Sequence, residues 1–211
     1  MSNQSFSLKK LDKMPFTGLF IFILLKNLRR DKNTDEDELE VVEYYYMARL
    51  GEIEKLIWIT LIFALISTAH LPIFFATVVA LFSVRIPSGG FHSRSTWGCF
   101  FWTLFGFIMA NLILPPISIN TFATVAIAVF SVIICYIASP IRSIDREEFI
   151  DKSKDNLLKR FATTMTIIWF IIIFFWPNPF TTAIMWIILI QNLQLLIEYT
   201  IRNIKKRSEN L

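Results

Sequence analysis

Long apolar runs separated by short polar or proline-containing breaks dominate the chain. Six such runs lie at about 53–69, 71–86, 98–114, 120–139, 161–176 and 180–201. Several are shorter than the roughly 20 apolar residues that an untilted transmembrane helix needs. A shorter run, FTGLFIFILLKNL at 16–28, has basic residues on both sides and predicts a helix that lies in the membrane interface. The pattern therefore predicts an all-α polytopic membrane protein with about six transmembrane helices and an N-terminal interfacial amphipathic helix.

The composition excludes the water-soluble alternatives. Of 211 residues, 55% are hydrophobic and only 18% are charged, and the mean hydropathy is +0.54. No Asp or Glu occurs between Glu54 and Asp145, so a soluble fold would have too little polar cover for its apolar surface. Disulfide scaffolds are excluded as well, because the chain has only two cysteines. The net charge of +4 is mild and indicates membrane orientation, with no nucleic-acid partner expected.

The distribution of basic residues predicts how the chain is oriented. Three breaks, at 70–72, 115–116 and 177–179, contain proline and no formal charge, whereas the other breaks carry Lys or Arg. Because basic loops stay on the cytoplasmic side, both termini are predicted to be cytoplasmic. The two runs around His70 would also fit one bent or re-entrant element. We expect a single integral membrane domain, 1–211. It begins with a cytoplasmic or interfacial segment at 1–52 and ends with a cytoplasmic tail at 202–211. Between them lies a transmembrane bundle at 53–201, with cytoplasmic loops at 87–97 and 140–160.

One polar, glycine-containing segment, RIPSGGFHSRSTWGC at 85–99, interrupts the apolar runs. Gly89 and Gly90 allow a sharp turn or a close approach to a substrate. His92 and Cys99 are seven residues apart, which on a continuous helix separates them by about 10.5 Å along the axis. A general base and its nucleophile need roughly 3 Å, so this pair requires a break in the helix, with Cys99 near a helix start. Irregular backbone at membrane depth also predicts a cavity open to the cytoplasm.

Each of these residues also has a purely structural interpretation. A lone cysteine in an apolar span is most often a core residue, which is our interpretation of Cys135. Arg85 and Arg94 would equally serve as snorkelling anchors at the membrane boundary. Two ligands without a nearby acid are too few for a metal site, and no metal or other cofactor is expected. A group that orients His92 stays open among Glu54, Asp145, Asn111 and a backbone carbonyl.

The spacing of Arg85, Gly89-Gly90, His92 and Cys99 resembles the signature of the accessory gene regulator B (AgrB) family, which are membrane-embedded cysteine endopeptidases of Gram-positive bacteria. The resemblance extends over most of the chain. It implies a multi-pass protein of the bacterial cell membrane, with Cys99 as nucleophile and His92 as general base. Its substrate would be an AgrD-type propeptide, the precursor of a cyclic thiolactone or lactone autoinducing peptide. Family precedent also makes a homodimer plausible.

The resemblance assigns further roles and leaves the substrate's identity open. Ser93 stands where the family commonly has Ala, and the loop after Pro140 is less proline-rich than is usual. The basic loop would attract the acidic tail of the precursor, although its charges would equally serve only to set topology. Residues expected to hold the oxyanion or position the substrate are Arg85, Gly89, Gly90, Ser93 and Arg94, and those expected to attract the tail are Lys152, Lys154, Lys159 and Arg160.

Two other functions remain open from the sequence. One is a small multipass transporter or exporter without peptidase activity, and the other is a membrane enzyme that acts on lipid with His92 as base. Against the transporter, the apolar spans carry no acid of the kind that couples ion movement. No inverted repeat is visible in the sequence either.

Overall fold

The computed structural model describes Thr17 and residues 36–90, 95–117, 119–141 and 154–209. The expected interfacial helix at 16–28 lies outside these residues apart from Thr17, and so does most of the loop 140–160. The secondary structure of the described residues is helical, apart from one parallel bridge between Gly89 and Ile141. The all-α class predicted from the sequence is therefore confirmed.

Six α-helices follow one another from residue 36 onward in the described chain, one for each apolar run. A short 3-10 helix at Thr68–His70 joins the first helix to the second, and a π-helical turn at Met109–Ile113 ends the third. The helices, α1 to α6, are Glu36–Ile66, Leu71–Ser88, Thr96–Ile108, Thr121–Ala138, Asp155–Phe175 and Pro179–Glu209.

Five spans among the described residues are long and apolar enough to cross a membrane. They lie at Thr68–Ser88, Thr96–Ile113, Thr121–Ala138, Asp155–Phe175 and Pro179–Ile204. Helix α1 is not among them, because it ends at Ile66 and charged side chains, including Glu52, Glu54 and Lys55, precede its apolar end. A polytopic membrane protein is thus confirmed, while six crossings and cytoplasmic termini stay predictions.

At the charge-free proline breaks, proline and asparagine side chains define where the following helices begin. Pro72 lies in the first turn of α2 and Pro179 is the first residue of α6, positions where a missing N–H leaves no intrahelical hydrogen bond unmade. Asn120 caps α4, since its side chain accepts a 2.8 Å hydrogen bond from the amide of Ala123. The Asn178 side chain likewise accepts from the amide of Thr181 at 3.0 Å. These breaks are tight interhelical turns, as the sequence predicts.

The described residues fall into two compact units, one of Met1–Ile66 with Ser93–Thr103 and the other of Ser67–His92 with Leu104–Leu211. In the second unit α6 packs against α2, α4 and α5. Of its membrane span, 56% is buried, against 33% or less for the other four spans. Helix α6 is therefore the helix around which this unit packs.

The first unit contains α1 and the start of α3. Glu54 of α1 is buried, and its Oε2 accepts hydrogen bonds from the backbone N–H and the hydroxyl of Thr17 at 2.8 and 2.6 Å. A buried carboxylate is tolerated when donors satisfy it, and Thr17 supplies two. The Trp58 indole N–H lies 3.5 Å from the other carboxylate oxygen. Glu54 thus fastens Thr17 to α1.

Candidate functional site

Cys99 lies in the first turn of α3. Helix α2 ends at Ser88 and α3 begins only at Thr96, so the segment between them is not a continuous helix. The Cys99 amide donates to the Ser95 carbonyl oxygen at 3.0 Å, and the Gly98 amide lies 3.5 Å from the Ser95 hydroxyl. Ser95 therefore occupies the capping position of α3. Cys99 therefore lies at a helix start, as predicted, and the described non-helical residue between His92 and Cys99 is Ser95, while Gly98 lies inside the helix.

The remaining polar residues of this segment fall partly outside the description. His92, Ser93 and Arg94 lie outside the described residues. The predicted approach of His92 to Cys99 therefore stays a prediction. The Cys99 side chain itself is buried, with 8% of the residue exposed.

A lysine that sequence reasoning missed lies against Cys99 within the first unit. The Lys55 ammonium nitrogen is 3.4 Å from the Cys99 sulfur. The same ammonium forms an ion pair with Glu52, one turn earlier on α1. Lys55 is 6% exposed, so its charge is withdrawn from water. The only available signal in the sequence was a lysine directly before a long charge-free run, and a contact across 44 residues cannot be read from that.

Gly89 forms the turn that follows α2, and the structure explains why glycine is required there. Its φ of +73° lies in the region that residues with a Cβ rarely adopt. A Cβ at this position would come within 1.8 Å of the Ile141 carbonyl oxygen. The backbone is held close by the Ile141 amide, which donates to the Ser88 carbonyl oxygen at 2.8 Å. Ser88 and Ile141 are both buried, so this junction is fixed inside the second unit.

Arg85 and Gly90 meet polar side chains of α6. The Arg85 Nη1 donates to the side-chain oxygens of Gln191 and Gln194 at 3.0 and 3.1 Å. The Gln191 amide nitrogen donates in turn to the Gly89 carbonyl oxygen at 2.8 Å. A Cβ on Gly90 would lie 3.1 Å from that same nitrogen. The arginine and the two glycines of the sequence signature thus contact the same side chains of α6. Their role in holding an oxyanion stays a prediction.

The two glutamines are functional candidates that the sequence analysis did not identify. Gln191 and Gln194 are 1% and 6% exposed, and both lie in a run without formal charge. Buried polar side chains in a membrane span are costly unless they are hydrogen-bonded, which makes them informative. Their i, i+3 spacing, which places them on one helix face, was visible in the sequence. Their partners, 102 to 109 residues away, were not.

The candidates for a group that orients His92 have other described partners or lie outside the described residues. The Asn111 side chain bonds to Thr77 at 3.2 Å and to the Phe107 carbonyl oxygen at 2.9 Å, and it is buried in the second unit. Glu54 is engaged by Thr17. Asp145 lies outside the described residues.

The basic residues expected to attract a substrate tail differ in their surroundings. Lys154 and Arg160, at the start of α5, are exposed. The Lys159 ammonium lies 4.3 Å from the centre of the Tyr136 ring, a cation–π contact. Lys152 lies outside the described residues. Of these four basic residues, Lys154 and Arg160 are therefore the ones best placed to meet an anion in solvent.

The arrangement offers a buried thiol at a helix start with a cation against it. Cys135, the other cysteine, is fully buried inside α4 in the second unit, as a packing residue would be. Of the two thiols, Cys99 is the one that lies in the first turn of a helix and beside a cation.

Comparison with known proteins gives one match. A family model described as "AgrB: Accessory gene regulator B" matches residues 21–195, most of the chain. No curated protein and no solved structure matches significantly. The matched range includes Lys55, the segment 85–99 and both glutamines of α6.

Proposed function

The chain belongs to the accessory gene regulator B family, which ties it to the processing of agr autoinducing peptides, and from this premise we propose that it is a membrane cysteine endopeptidase. Its substrate is an AgrD-type propeptide. The enzyme removes the C-terminal tail of that propeptide and lets the remainder close into a thiolactone or lactone ring.

The reaction proceeds through two acyl transfers. His92 takes the Cys99 thiol proton, and the sulfur attacks the carbonyl carbon at the end of the future ring. The C–N bond then breaks, the leaving amine receives the proton from His92, and the tail departs. A Cys or Ser side chain of the bound peptide next gives its proton to His92 and attacks the thioester carbon. The carbon–sulfur bond to Cys99 then breaks, and the Cys99 sulfur leaves as a thiolate. Thioester exchange is nearly isoenergetic, so the second step depends mainly on keeping water away from the acyl-enzyme.

One observation carries this proposal beyond family membership. Cys99 lies buried in the first turn of α3, and the described residues that flank His92 in the sequence, Gly89, Gly90 and Ser95, are not helical. An unbroken helix would separate the two side chains by about 10.5 Å, and the observed end of α2 at Ser88 removes that obstacle. The glycine turn that Ile141 and Gln191 hold fixes where the chain leaves α2.

The proposal includes location and substrate delivery. The protein lies in the bacterial cell membrane with both termini in the cytoplasm, where the precursor is made. The exposed Lys154 and Arg160, with Lys152 and Lys159, attract the acidic tail toward the membrane surface. No nucleic acid takes part, and a homodimer stays an expectation of the family.

Co-expression with an AgrD-type precursor peptide tests the proposal. Cys99→Ala and His92→Ala should each abolish release of the tail, a loss of about 10³-fold or more, because each removes a reacting group. Cys135→Ala is the matched control, since it removes a buried thiol from α4 and should process normally. An acyl-enzyme of the parent protein, sensitive to hydroxylamine and absent from Cys99→Ala, should be seen by mass spectrometry. Full tail release by Cys99→Ala at normal membrane levels would disprove the mechanism.

A further inference from the structure

The buried lysine on α1 is not explained by family membership or by the Cys99–His92 pair. Lys55 is 6% exposed and makes two polar contacts, to the Glu52 carboxylate and to the Cys99 sulfur at 3.4 Å. Long lysine side chains near a membrane boundary normally extend their ammonium group toward water. Here the ammonium is turned inward, against a thiol.

The burial of the Lys55 ammonium requires an electrostatic explanation, because packing alone does not offset the loss of hydration. A buried ammonium is unfavourable unless it is paired with anions, and each partner must help to offset its desolvation. The Glu52 carboxylate is 41% exposed, so it is partly solvated and only one of the two groups that the ammonium meets. A neutral thiol is a weak acceptor, whereas a thiolate is an anion that an ammonium stabilises strongly. The Lys55 ammonium is thus placed where it can pair with a Cys99 thiolate.

We propose that Lys55 is a further catalytic residue of the same reaction, whose ammonium pairs with the Cys99 thiolate and holds the sulfur in its nucleophilic form. This inference rests on the proposed function for its chemistry, but the ion pair itself does not require a substrate.

Lys55 transfers no proton in this scheme. The Cys99 proton passes to His92 and later to the leaving amine, and the ammonium compensates the sulfur's negative charge before attack. When the C–S bond forms, the sulfur becomes a neutral thioester and the ammonium loses that anion. Glu52 remains as its partner, so Lys55 stays in place until the second acyl transfer releases the thiolate again.

Glu54, the other nearby carboxylate of α1, is directed elsewhere. Its Oε2 accepts both hydrogen bonds from Thr17, at 2.8 and 2.6 Å. The described contacts of the Lys55 ammonium are those to Glu52 and Cys99. Glu54 therefore holds Thr17, and Glu52 is the acid that pairs with the lysine.

Alkylation of Cys99 tests the ion pair in the full-length protein. In a Cys135→Ala background Cys99 is the chain's only thiol, and its rate of reaction with iodoacetamide in purified membranes is measured at pH 7 and pH 10. Lys55→Met, similar in length but uncharged, should slow alkylation at pH 7 by about tenfold or more, because less of the thiol is ionised. At pH 10 the rates of variant and parent should converge. Lys55→Arg should keep the pH 7 rate within about threefold, since it restores the cation.

The alternatives give different results. If Lys55 only fills space, Lys55→Met would loosen the packing and leave the rate unchanged or raise it at both pH values, which would overturn the proposal. An equal slowing at both pH values would indicate lost access and would overturn it as well. If Lys55→Met does not accumulate in membranes, Lys55→Gln gives the same neutral test with a polar end group.

Precursor processing in the same strains separates this inference from the proposed function. Lys55→Met should lower tail release by about tenfold or more, and Lys55→Arg should restore most of it. Loss of tail release in Cys99→Ala, together with unchanged processing and alkylation in Lys55→Met, would leave the peptidase intact and refute the role of Lys55. Normal tail release in Cys99→Ala would refute the peptidase, while the alkylation rates still decide the ion pair.

Discussion

The side-chain amide of Gln191 donates a 2.8 Å hydrogen bond to the carbonyl oxygen of Gly89, across 102 residues of chain. The same glutamine accepts from Arg85 at 3.0 Å through its side-chain oxygen. One buried amide thus connects two elements of the sequence signature and fixes both to α6. The network lies entirely within the second unit.

Replacing Gln191 should disturb the signature turn more than it disturbs the helix. Gln191→Met keeps the side-chain length but leaves the Gly89 carbonyl oxygen without this donor, and an unsatisfied buried group costs about 1–3 kcal/mol. We expect tail release to fall by about tenfold with protein still present in the membrane. The measurement is tail release per unit of membrane protein.

Asn192 supplies the matched control for that change. It is fully buried on the same helix, but its amide nitrogen donates only to its own helix, to the Ile188 carbonyl oxygen at 3.0 Å. Its side-chain oxygen has no hydrogen-bond partner among the described residues. Asn192→Leu should therefore process the precursor like the parent. Equal losses in both variants would mean that burial on α6 matters, and that the bond to Gly89 does not.

Three glycines should respond to alanine in a graded order. A Cβ added to Gly51 would meet no other atom within 4 Å. Gly51→Ala should therefore be neutral or stabilise α1 by about 0.5–1 kcal/mol. Gly90→Ala should have an intermediate effect, because the neighbour at 3.1 Å is the movable end of Gln191. Gly89→Ala should be the most damaging, because its Cβ would overlap the Ile141 backbone and because of its positive φ.

Thermal stability in detergent and tail release should both follow that order. Membrane levels of the three variants indicate whether a loss is one of folding. A Gly89→Ala protein as stable and active as the Gly51→Ala protein would contradict the described turn.

Labelling from the two sides of the membrane checks the predicted orientation. In a chain with Cys99→Ala and Cys135→Ala, reporters Ile117→Cys and Trp176→Cys should react with an impermeant maleimide on intact cells. Both positions are exposed, and their side chains do not cap helices, unlike that of Asn120. Asn156→Cys, exposed near the start of α5, should react only after the cells are opened. Labelling of Asn156→Cys from outside would reverse the proposed topology.

Neutralising the basic segment tests whether its charges attract the substrate. Changing Lys152, Lys154 and Arg160 to Gln should weaken precursor capture and flatten its dependence on salt, because fewer charges then contribute to a screened attraction. Lys152→Arg, Lys154→Arg and Arg160→Lys together form the charge-preserving control and should bind normally. Lys159→Met should have a smaller effect on capture than the triple change, since its ammonium lies over Tyr136. Unchanged capture in the neutral variant would mean that these charges only set topology.

The sequence predicted local features well because their causes are local. Each of the six apolar runs is a helix, and the prolines of the charge-free breaks lie between helices or in the first turn of the next helix, where the missing N–H is tolerated. An interruption of the helix between α2 and Cys99 was expected from Gly89 and from the distance that a base and a nucleophile require, and Gly89, Gly90 and Ser95 are indeed non-helical. The helix ended at Ser88, one residue after Pro87, as a proline near a helix end permits.

The contacts that the sequence could not predict all join distant segments. Lys55 meets Cys99 across 44 residues, and Gln191 meets Gly89 across 102. Periodicity indicates which face of a helix is apolar, but it carries no information about the helix that will pack against that face. Gln191 and Gln194, in the last apolar run, were a visible sign that this helix has a polar partner. Naming Arg85 as that partner required the fold.

Ile141 connects the Gly89 turn to the basic segment that follows it in the chain. It is the last described residue before the basic segment, and its amide is fastened to the Ser88 carbonyl oxygen at the end of α2. A displacement of Ile141 would therefore reach the Gly89 turn directly, through this one hydrogen bond. If the basic segment binds an acidic tail as proposed, Ile141 is the residue through which that binding would be sensed at the end of α2.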